Sequence, residues 1–175
     1  MISIIVENPK RIKKAIPILK NKVKAKLRLE KDELIIDSSL GEEYILQQII
    51  KAVDFGFNAE DALLLLNTDY ALEFVNIKEN TRRKNLQDVR ARVIGTEGKA
   101  KRAIETLTGA AVAINANQVG IIVNCEHLNT TINAVRSLIQ GAKHANVFAY
   151  LEKQNANLKK RDDDLGLKDF KWKKK

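Results

Sequence analysis

The chain is poor in the residues that make catalytic and metal sites. It contains one cysteine, Cys125, and two histidines, His127 and His144, among its 175 residues. A lone cysteine cannot form an internal disulfide, and neither histidine lies near a Cys-x-x-Cys pair of the kind that binds zinc. No Ser/His/Asp signature and no carboxylates with metal-site spacing are visible. The sequence therefore predicts a protein that is not an enzyme and uses no metal, cofactor or small-molecule substrate.

Long apolar runs are missing as well. The longest, such as ALLLL at 62–66, are far too short for a membrane span or a secretory leader. Apolar residues still make up 45% of the chain, which is normal for a globular protein. We therefore expect a cytoplasmic protein without a membrane partner, folded as one ordinary domain or two small ones.

Acidic residues are scarce relative to basic ones. Thirty-one Lys and Arg against 22 Asp and Glu give a net charge of +9. Residues 10–28 hold nine basic residues and no carboxylate, basic residues dominate again over 82–102, and the sequence closes with KDFKWKKK. A polyanionic partner explains this clustering better than a generic basic surface does.

One order of elements occurs twice. The segment KLRLEKDELIIDSS, at 26–39, predicts strand, turn and strand, followed by a helix that ends near Gly56. The segment AAVAINANQVGIIVNCE, at 110–126, predicts the same, followed by a helix that ends at Gly141. Antiparallel strands with helices on one face indicate the α+β class.

The second copy has a clear register. The alternation in VGIIVNCE predicts a half-buried strand. Its inward positions are Val119, Ile121, Val123 and Cys125. Cys125 is therefore expected in the core. Upstream, short helices are predicted to end at Gly95 and Gly109, so that this copy reads strand, helix, Gly-x-x-Gly turn, helix, strand, strand, helix.

The first copy begins with the strand ISIIVE. Asn8 and Pro9 predict the start of a helix, which Pro17 should kink or divide. No Gly-x-x-Gly occurs there. Between the copies, Asn58 as cap and Asp61 as its capping-box partner predict a short linking helix.

The stretch IGTEGKAKRAIE, at 94–105, is the strongest functional motif. Glycines let main-chain N–H groups approach a phosphate, and the turn opens a helix whose first amides are unpaired. Lys99, Lys101 and Arg102 add positive charge where cations disfavour the helix itself, which suggests that they serve a partner. The alternative is that Gly95 and Gly98 merely form a turn between packed helices.

A groove is expected beside this turn. Ile94 should lie at its edge, and Val112 and Ile114 should pack under the helices. The free edge of their strand offers main-chain groups to splayed bases, with Asn115 either helping or remaining an idle surface residue. Glu97 either weakens the hold on phosphate or caps the following helix, so binding should be moderate.

The whole pattern resembles a known family. The element order, GFNAEDALLLL at 56–66 and the run from RVIGTEGKAKRAIE to VGIIV at 92–123 are similar to tandem type I KH domains of archaeal partner-of-Nob-one or Dim-type ribosome-assembly proteins, relatives of the Krr-type factors. The resemblance extends to about Leu151. It implies a degenerate KH-like domain with the linking helix over 1–70, a KH domain over 71–152, and a basic, disordered tail over 153–175.

The resemblance also implies a function. Such proteins bind single-stranded RNA at the 3′ end of small-subunit pre-rRNA during ribosome biogenesis. They work beside a Nob-type endonuclease and are associated with the alpha subunit of translation initiation factor two. The RNA-contacting positions that it implies are Arg92, Ile94, Gly95, Thr96, Gly98, Lys99, Lys101 and Arg102. The groove argument adds Glu97, Ile114 and Asn115.

Several interpretations stay open on the sequence alone. An accessory basic surface is expected to face phosphate or protein, or to be merely solvated. Its residues are Lys10, Lys13, Lys14, Lys20, Arg82 and Arg83. The main alternative function is a protein-docking scaffold or translation-linked KH module whose RNA binding is secondary. The sequence does not choose between a Nob-associated and a Krr-type role, nor whether Phe170 and Trp172 in the tail stack on bases or dock on a partner.

Overall fold

The computed structural model describes residues 2–38 and 42–164. The strands in this part of the chain are β1 (Ile2–Ile5), β2 (Lys26–Glu30), β3 (Glu33–Asp37), β4 (Tyr70–Asn76), β5 (Ala111–Asn115) and β6 (Gln118–Asn124). The helices are α1 (Pro9–Lys22), α2 (Glu43–Phe55), α3 (Ala59–Ala62), α4 (Ile77–Asn80), α5 (Leu86–Ile94), α6 (Lys99–Thr108), α7 (Cys125–Gln140) and α8 (His144–Asp164). Two 3-10 turns lie at Leu63–Leu66 and Thr96–Gly98.

The strands form two separate antiparallel sheets of three strands each. Their orders are β1-β3-β2 and β4-β6-β5, so β2 and β5 are free edges in equivalent positions. Each half follows the predicted strand-turn-strand-helix course, and the α+β prediction is confirmed. The halves differ before the hairpin, where the first half has one long helix, α1, and the second has α5, the glycine turn and α6.

The helix ends of the second half follow from its glycines and one asparagine. Gly95, Gly109 and Gly141 end α5, α6 and α7, each with positive φ, as the sequence predicted. Asn124 begins α7, because its side-chain oxygen accepts the backbone N–H of Glu126 at 3.0 Å. Local chemistry therefore sets the boundaries of the elements that surround the glycine turn.

The first half departs from its local signals in two places. Helix α1 runs through Pro17 undivided, because its buried face, formed by Ile12, Ala15 and Leu19, is packed in the core. Asn8 stands at the cap position but makes no side-chain capping bond. Instead, the Asp54 carboxylate of α2 accepts the backbone N–H groups of Glu7 and Asn8 at 2.9 and 2.7 Å, which ties the start of α1 to α2.

One face of the second sheet is covered by its own helices. Val112, Val119 and Ile121 point into a core shared with α5, α6 and α7. Helix α8 completes this core through Val147 and Leu151, which are both buried. The predicted inward packing of Val112 is confirmed.

The opposite face of the second sheet is covered by the first half. Ala111, Ala113 and Ile122 belong to the same core as α1 and α2. Gly120 on the central strand makes this contact possible, since a Cβ there would lie 2.8 Å from ring carbons of both Phe55 and Phe57. The two halves therefore share one apolar interface across the sheet.

Two further expectations from the sequence are wrong. Cys125 is exposed and begins α7, because the Asn124 cap turns the chain out of the strand before the alternation reaches the cysteine. Residues 153–164, expected to belong to a disordered tail, continue α8. The cause is α8's packing on α6 and α7, where the Asn155 side chain donates to the Leu107 carbonyl. Residues 165–175, with Phe170 and Trp172, lie outside the described residues.

The close packing at Gly120 predicts a steric effect on stability. Gly120→Ala places a methyl group against two aromatic rings and should lower the free energy of unfolding by about 1–3 kcal/mol, as overpacking does. Urea denaturation of Gly120→Ala, Phe55→Leu and the double variant measures how strongly the two substitutions depend on each other in the free energy of unfolding. The smaller side chain should relieve part of the clash in the double variant. Strictly additive effects would show that the ring does not press on this position.

Candidate nucleic-acid interface

The Gly-x-x-Gly turn has a backbone that only certain residues adopt. Gly95 and Gly98 have φ of +74° and +75°, and Glu97 between them has φ of +54°. The backbone N–H of Gly95 donates to the carbonyl oxygen of Ala91 at 2.8 Å and ends α5. The backbone N–H of Gly98 donates to the carbonyl oxygen of Gly95 at 3.1 Å. Three left-handed residues in four reverse the chain so sharply that α6 begins at Lys99 directly after the turn.

The two glycines are required for different reasons. A Cβ at Gly95 would lie 2.7 Å from both the backbone nitrogen and the Cβ of Ala100, so any side chain there would collide with α6. A Cβ at Gly98 would meet nothing nearer than the Arg102 guanidinium at 3.8 Å. Gly98 is therefore needed for its φ, and it leaves the main chain bare on this side of the turn.

The cations after the turn hold internal partners. Lys99 Nζ lies 3.5 Å from the Glu97 carboxylate, and Arg102 donates to the Glu97 carbonyl at 2.7 Å. The Lys99 and Glu97 side chains are 74% and 75% exposed, so their ion pair is screened by water and contributes little. A phosphate at the turn can therefore recruit Lys99 at low cost.

A groove lies along the free edge of β5, beside helix α6. Ladder hydrogen bonds alternate along an antiparallel pair, so the main-chain groups of Val112 and Ile114 point away from β6. Ile94 is exposed at the end of α5. Ile114 is half-buried and packs on the second core, as the sequence predicted. Arg90 donates to the Ala116 carbonyl at 3.1 Å and braces the hairpin that ends β5.

Residues of the first half line one side of this groove. Their contribution was not predicted from the sequence. A cavity of about 560 Å³ separates the edge of β5 and helix α6 from the segment at the end of α2 and the start of α3. Gly56, Phe57, Asn58 and Asp61 supply the wall on that side. One signal was available: the run VGIIV is apolar on both strand faces, which is typical of a strand covered on both sides.

Glu105 also lines this groove and was not among the residues predicted from the sequence. Its Oε1 accepts the backbone N–H of Val112 at 3.0 Å, and Lys101 Nζ lies 3.7 Å from the same oxygen. The i,i+4 spacing of Lys101 and Glu105 was visible in the sequence. The contact with the strand edge was not, because it joins residues on different elements.

Two predicted RNA contacts face elsewhere. The Arg92 side chain donates to the carbonyls of Gly141 and Ala142, and His144 Nε2 lies 2.9 Å from the Arg92 carbonyl. These bonds hold the connection between α7 and α8 against the end of α5, which favours a structural role for Arg92. Asn115 lines a different cavity, of about 340 Å³, together with Phe55, Phe74 and Lys51 at the junction of the halves.

The accessory basic residues do not form one surface. Lys10, Lys13 and Lys20 line a groove of about 460 Å³ between α1 and the free edge of β2, over Ile16, Leu27 and Leu29. Lys14 lies in a separate cavity beside Arg11 and Ile18. Arg82 and Arg83 line a third, near the end of α7. The first of these grooves occupies the position in its half that the β5 groove occupies in the second.

The described residues show neither of two other kinds of site. Among the side chains described within 2–38 and 42–160, no three of His, Cys, Asp or Glu are grouped so that they could hold a metal ion. None of the helices that the structure describes is long and apolar enough to cross a bilayer.

The chain matches known proteins across both halves. Residues 71–156 match the family model for the second KH domain of PNO1, a eukaryotic-type (type I) KH domain. A KH domain-containing protein of Methanocaldococcus jannaschii is 37% identical over 130 residues, which cover 74% of this chain and 55% of that protein. The pre-rRNA-processing protein pno1 of Emericella nidulans is 29% identical, covering 66% of this chain and 46% of the relative.

A solved structure supports the same assignment. The crystal structure of the a/eIF2alpha–aDim2p–rRNA complex from Pyrococcus horikoshii contains a chain with a TM-score of 0.76 and 26% identity, covering 89% of this chain and 94% of that one. The chain spans about half the length of the curated relatives it matches. By these matches, residues 71–156 form a type I KH domain of the PNO1 kind, and the chain as a whole is similar in sequence and fold to the KH-domain proteins of the PNO1/Dim2 family.

Proposed function

We propose that this chain is a non-catalytic RNA-binding factor of small-subunit ribosome assembly. It binds single-stranded RNA through the Gly-x-x-Gly turn and the β5 groove. The observation that carries the proposal is the turn itself: its main chain is bare at Gly98, and Lys99 beside it holds only a screened ion pair. In KH domains this loop clamps the backbone of about four nucleotides.

The relatives supply the biological setting of the proposal. The Emericella relative is a pre-rRNA-processing protein, and the Pyrococcus relative was crystallised with rRNA and a/eIF2alpha. We therefore assign the chain an rRNA target, the 3′ region of small-subunit rRNA, and the alpha subunit of initiation factor two as a protein partner. The Nob-type endonuclease and a cytoplasmic location complete the assignment and rest on the resemblance alone.

The turn predicts the effect of added negative charge. Replacing Thr96 and Glu97 by aspartates places two carboxylates where phosphate should rest, and aspartate tolerates the left-handed conformation at position 97. The affinity for single-stranded RNA should fall by roughly a hundredfold or more, because like charges in an interface cost several kcal/mol. Fluorescence anisotropy with labelled RNA measures the decrease, and thermal unfolding checks the fold.

A matched control separates this effect from net charge. Asn129→Asp, on the exposed face of α7 away from the groove, adds the same single negative charge as the double variant and should leave affinity nearly unchanged. Equal decreases in RNA affinity in both variants would show that binding depends on the net charge of the protein and not on the turn. Full affinity in the double variant would favour the alternative function, a protein-docking module whose RNA binding is secondary.

The basic groove of the first half predicts a contribution that depends on RNA length. Lys10 and Lys13 line it beside the free edge of β2. Their replacement by glutamate should weaken binding of RNA long enough to reach both halves. The log–log salt slope should fall by about 0.7 for each phosphate that the variant no longer neutralises, while short strands held by the turn alone bind as before.

The charge-matched control for this test lies on α8. Lys159→Glu with Lys160→Glu makes the same change on an exposed helix outside the groove. Salt titrations of both variants on short and long RNA give the comparison. A first-half variant that behaves like the α8 control on long RNA would leave this groove without a role in RNA binding.

A further inference from the structure

Glu105 uses only one of its two carboxylate oxygens. The Val112 N–H and the Lys101 ammonium both contact Oε1, at 3.0 and 3.7 Å. Oε2 has no partner within the part of the chain that the structure describes. The Glu105 side chain is 29% exposed, and it lines the cavity between α6, the edge of β5 and the first half. An acceptor is therefore built into this cavity and left available.

The position of this acceptor changes what the strand edge presents. A bare edge would offer the Val112 N–H as a donor to an incoming base. Here that donor is already bonded, and a carboxylate, which can only accept, stands in its place. The cavity of about 560 Å³ lies within the range of pockets that hold small ligands, so a base has room beside it.

Helix α6 links this acceptor to the phosphate-binding turn. Glu105 follows Gly98 by seven residues, which places it about 10 Å farther along the helix axis. A strand whose backbone rests on the turn can therefore bring a nearby base to the carboxylate. The first half closes the far side of the cavity with Asn58 and Asp61, so the base is enclosed by both halves of the chain.

We propose that Glu105 is a specificity-determining residue, whose free carboxylate oxygen accepts a hydrogen bond from the exocyclic amine of the base in this cavity. Adenine, cytosine and guanine carry such an amine, and uracil does not. At the corresponding position uracil presents O4, an acceptor that the carboxylate repels. The inference rests on the proposed function, since it concerns one nucleotide of the RNA held by the turn.

The test is a substitution that reverses the hydrogen-bonding character of the residue. In Glu105→Gln, the amide oxygen keeps the bond to the Val112 N–H, and the amide NH₂ becomes a donor toward the cavity. Affinities of the full chain are measured for RNA strands that differ by cytidine or uridine at one position at a time. The wild-type protein should prefer cytidine by about tenfold at one position, and the variant should lose or reverse that preference.

Glu97→Gln is the matched control. It removes the same charge at the turn, where phosphate rather than base is bound, and it should raise the affinity for every strand while leaving the cytidine-to-uridine ratio unchanged. A ratio that stays the same in Glu105→Gln overturns the inference. If the strands bind the wild-type protein and the aspartate double variant of the turn equally well, the proposed function fails instead.

The NMR signal of the Val112 backbone amide provides a further test, which needs no variant. On titration of the wild-type protein with the discriminating strands, the Val112 N–H signal should shift more with the cytidine strand than with the uridine strand, because the amine polarises the carboxylate bonded to it. Equal shifts with both strands would count against Glu105 as the reader. This measurement holds even if Glu105→Gln weakens the fold.

Discussion

The rest of the structure depends on one constraint. The face of the second sheet that lies opposite its own helices is buried against the first half. Ala111, Ala113 and Ile122 are small or apolar, and Gly120 has no side chain, so the Phe55 and Phe57 rings can lie directly on the sheet. This packing brings the chain after α2 alongside the free edge of β5. The groove consequently has walls from both halves, and its shape requires their association.

The glycine turn illustrates how one short motif meets two demands. Gly95 is crowded by Ala100 and permits the close approach of α5 and α6, whereas Gly98 is open and leaves the main chain accessible. The turn is therefore a packing element at Gly95, and at Gly98 it has the open main chain that the proposed contact with RNA requires.

Two of the three cations at the start of α6 are paired with carboxylates. Lys99 lies beside Glu97 and Lys101 beside Glu105, whereas Arg102 donates to the Glu97 carbonyl. The ion pair at Glu97 is exposed and weak, so the proposed exchange of Glu97 for a phosphate would cost little. The interaction at Glu105 also involves a strand-edge amide, which holds the carboxylate in one place. Loosely held charge suits the binding of a uniform backbone, and a fixed acceptor suits the reading of a base.

The sequence alone indicated most of the elements, their order and the family that the chain resembles. Period-two alternation, glycines at helix ends and the Gly-x-x-Gly motif are local signals, and they placed the hairpins, α5, α6 and the turn correctly. The tertiary structure decided what local signals cannot contain. The Asn124 cap exposed Cys125, packing on α6 and α7 extended α8, and Arg92 turned to the α7–α8 connection. Phe57, Asn58 and Glu105 came together at the edge of β5 because distant segments share a core, and the identity of such neighbours depends on how the halves pack.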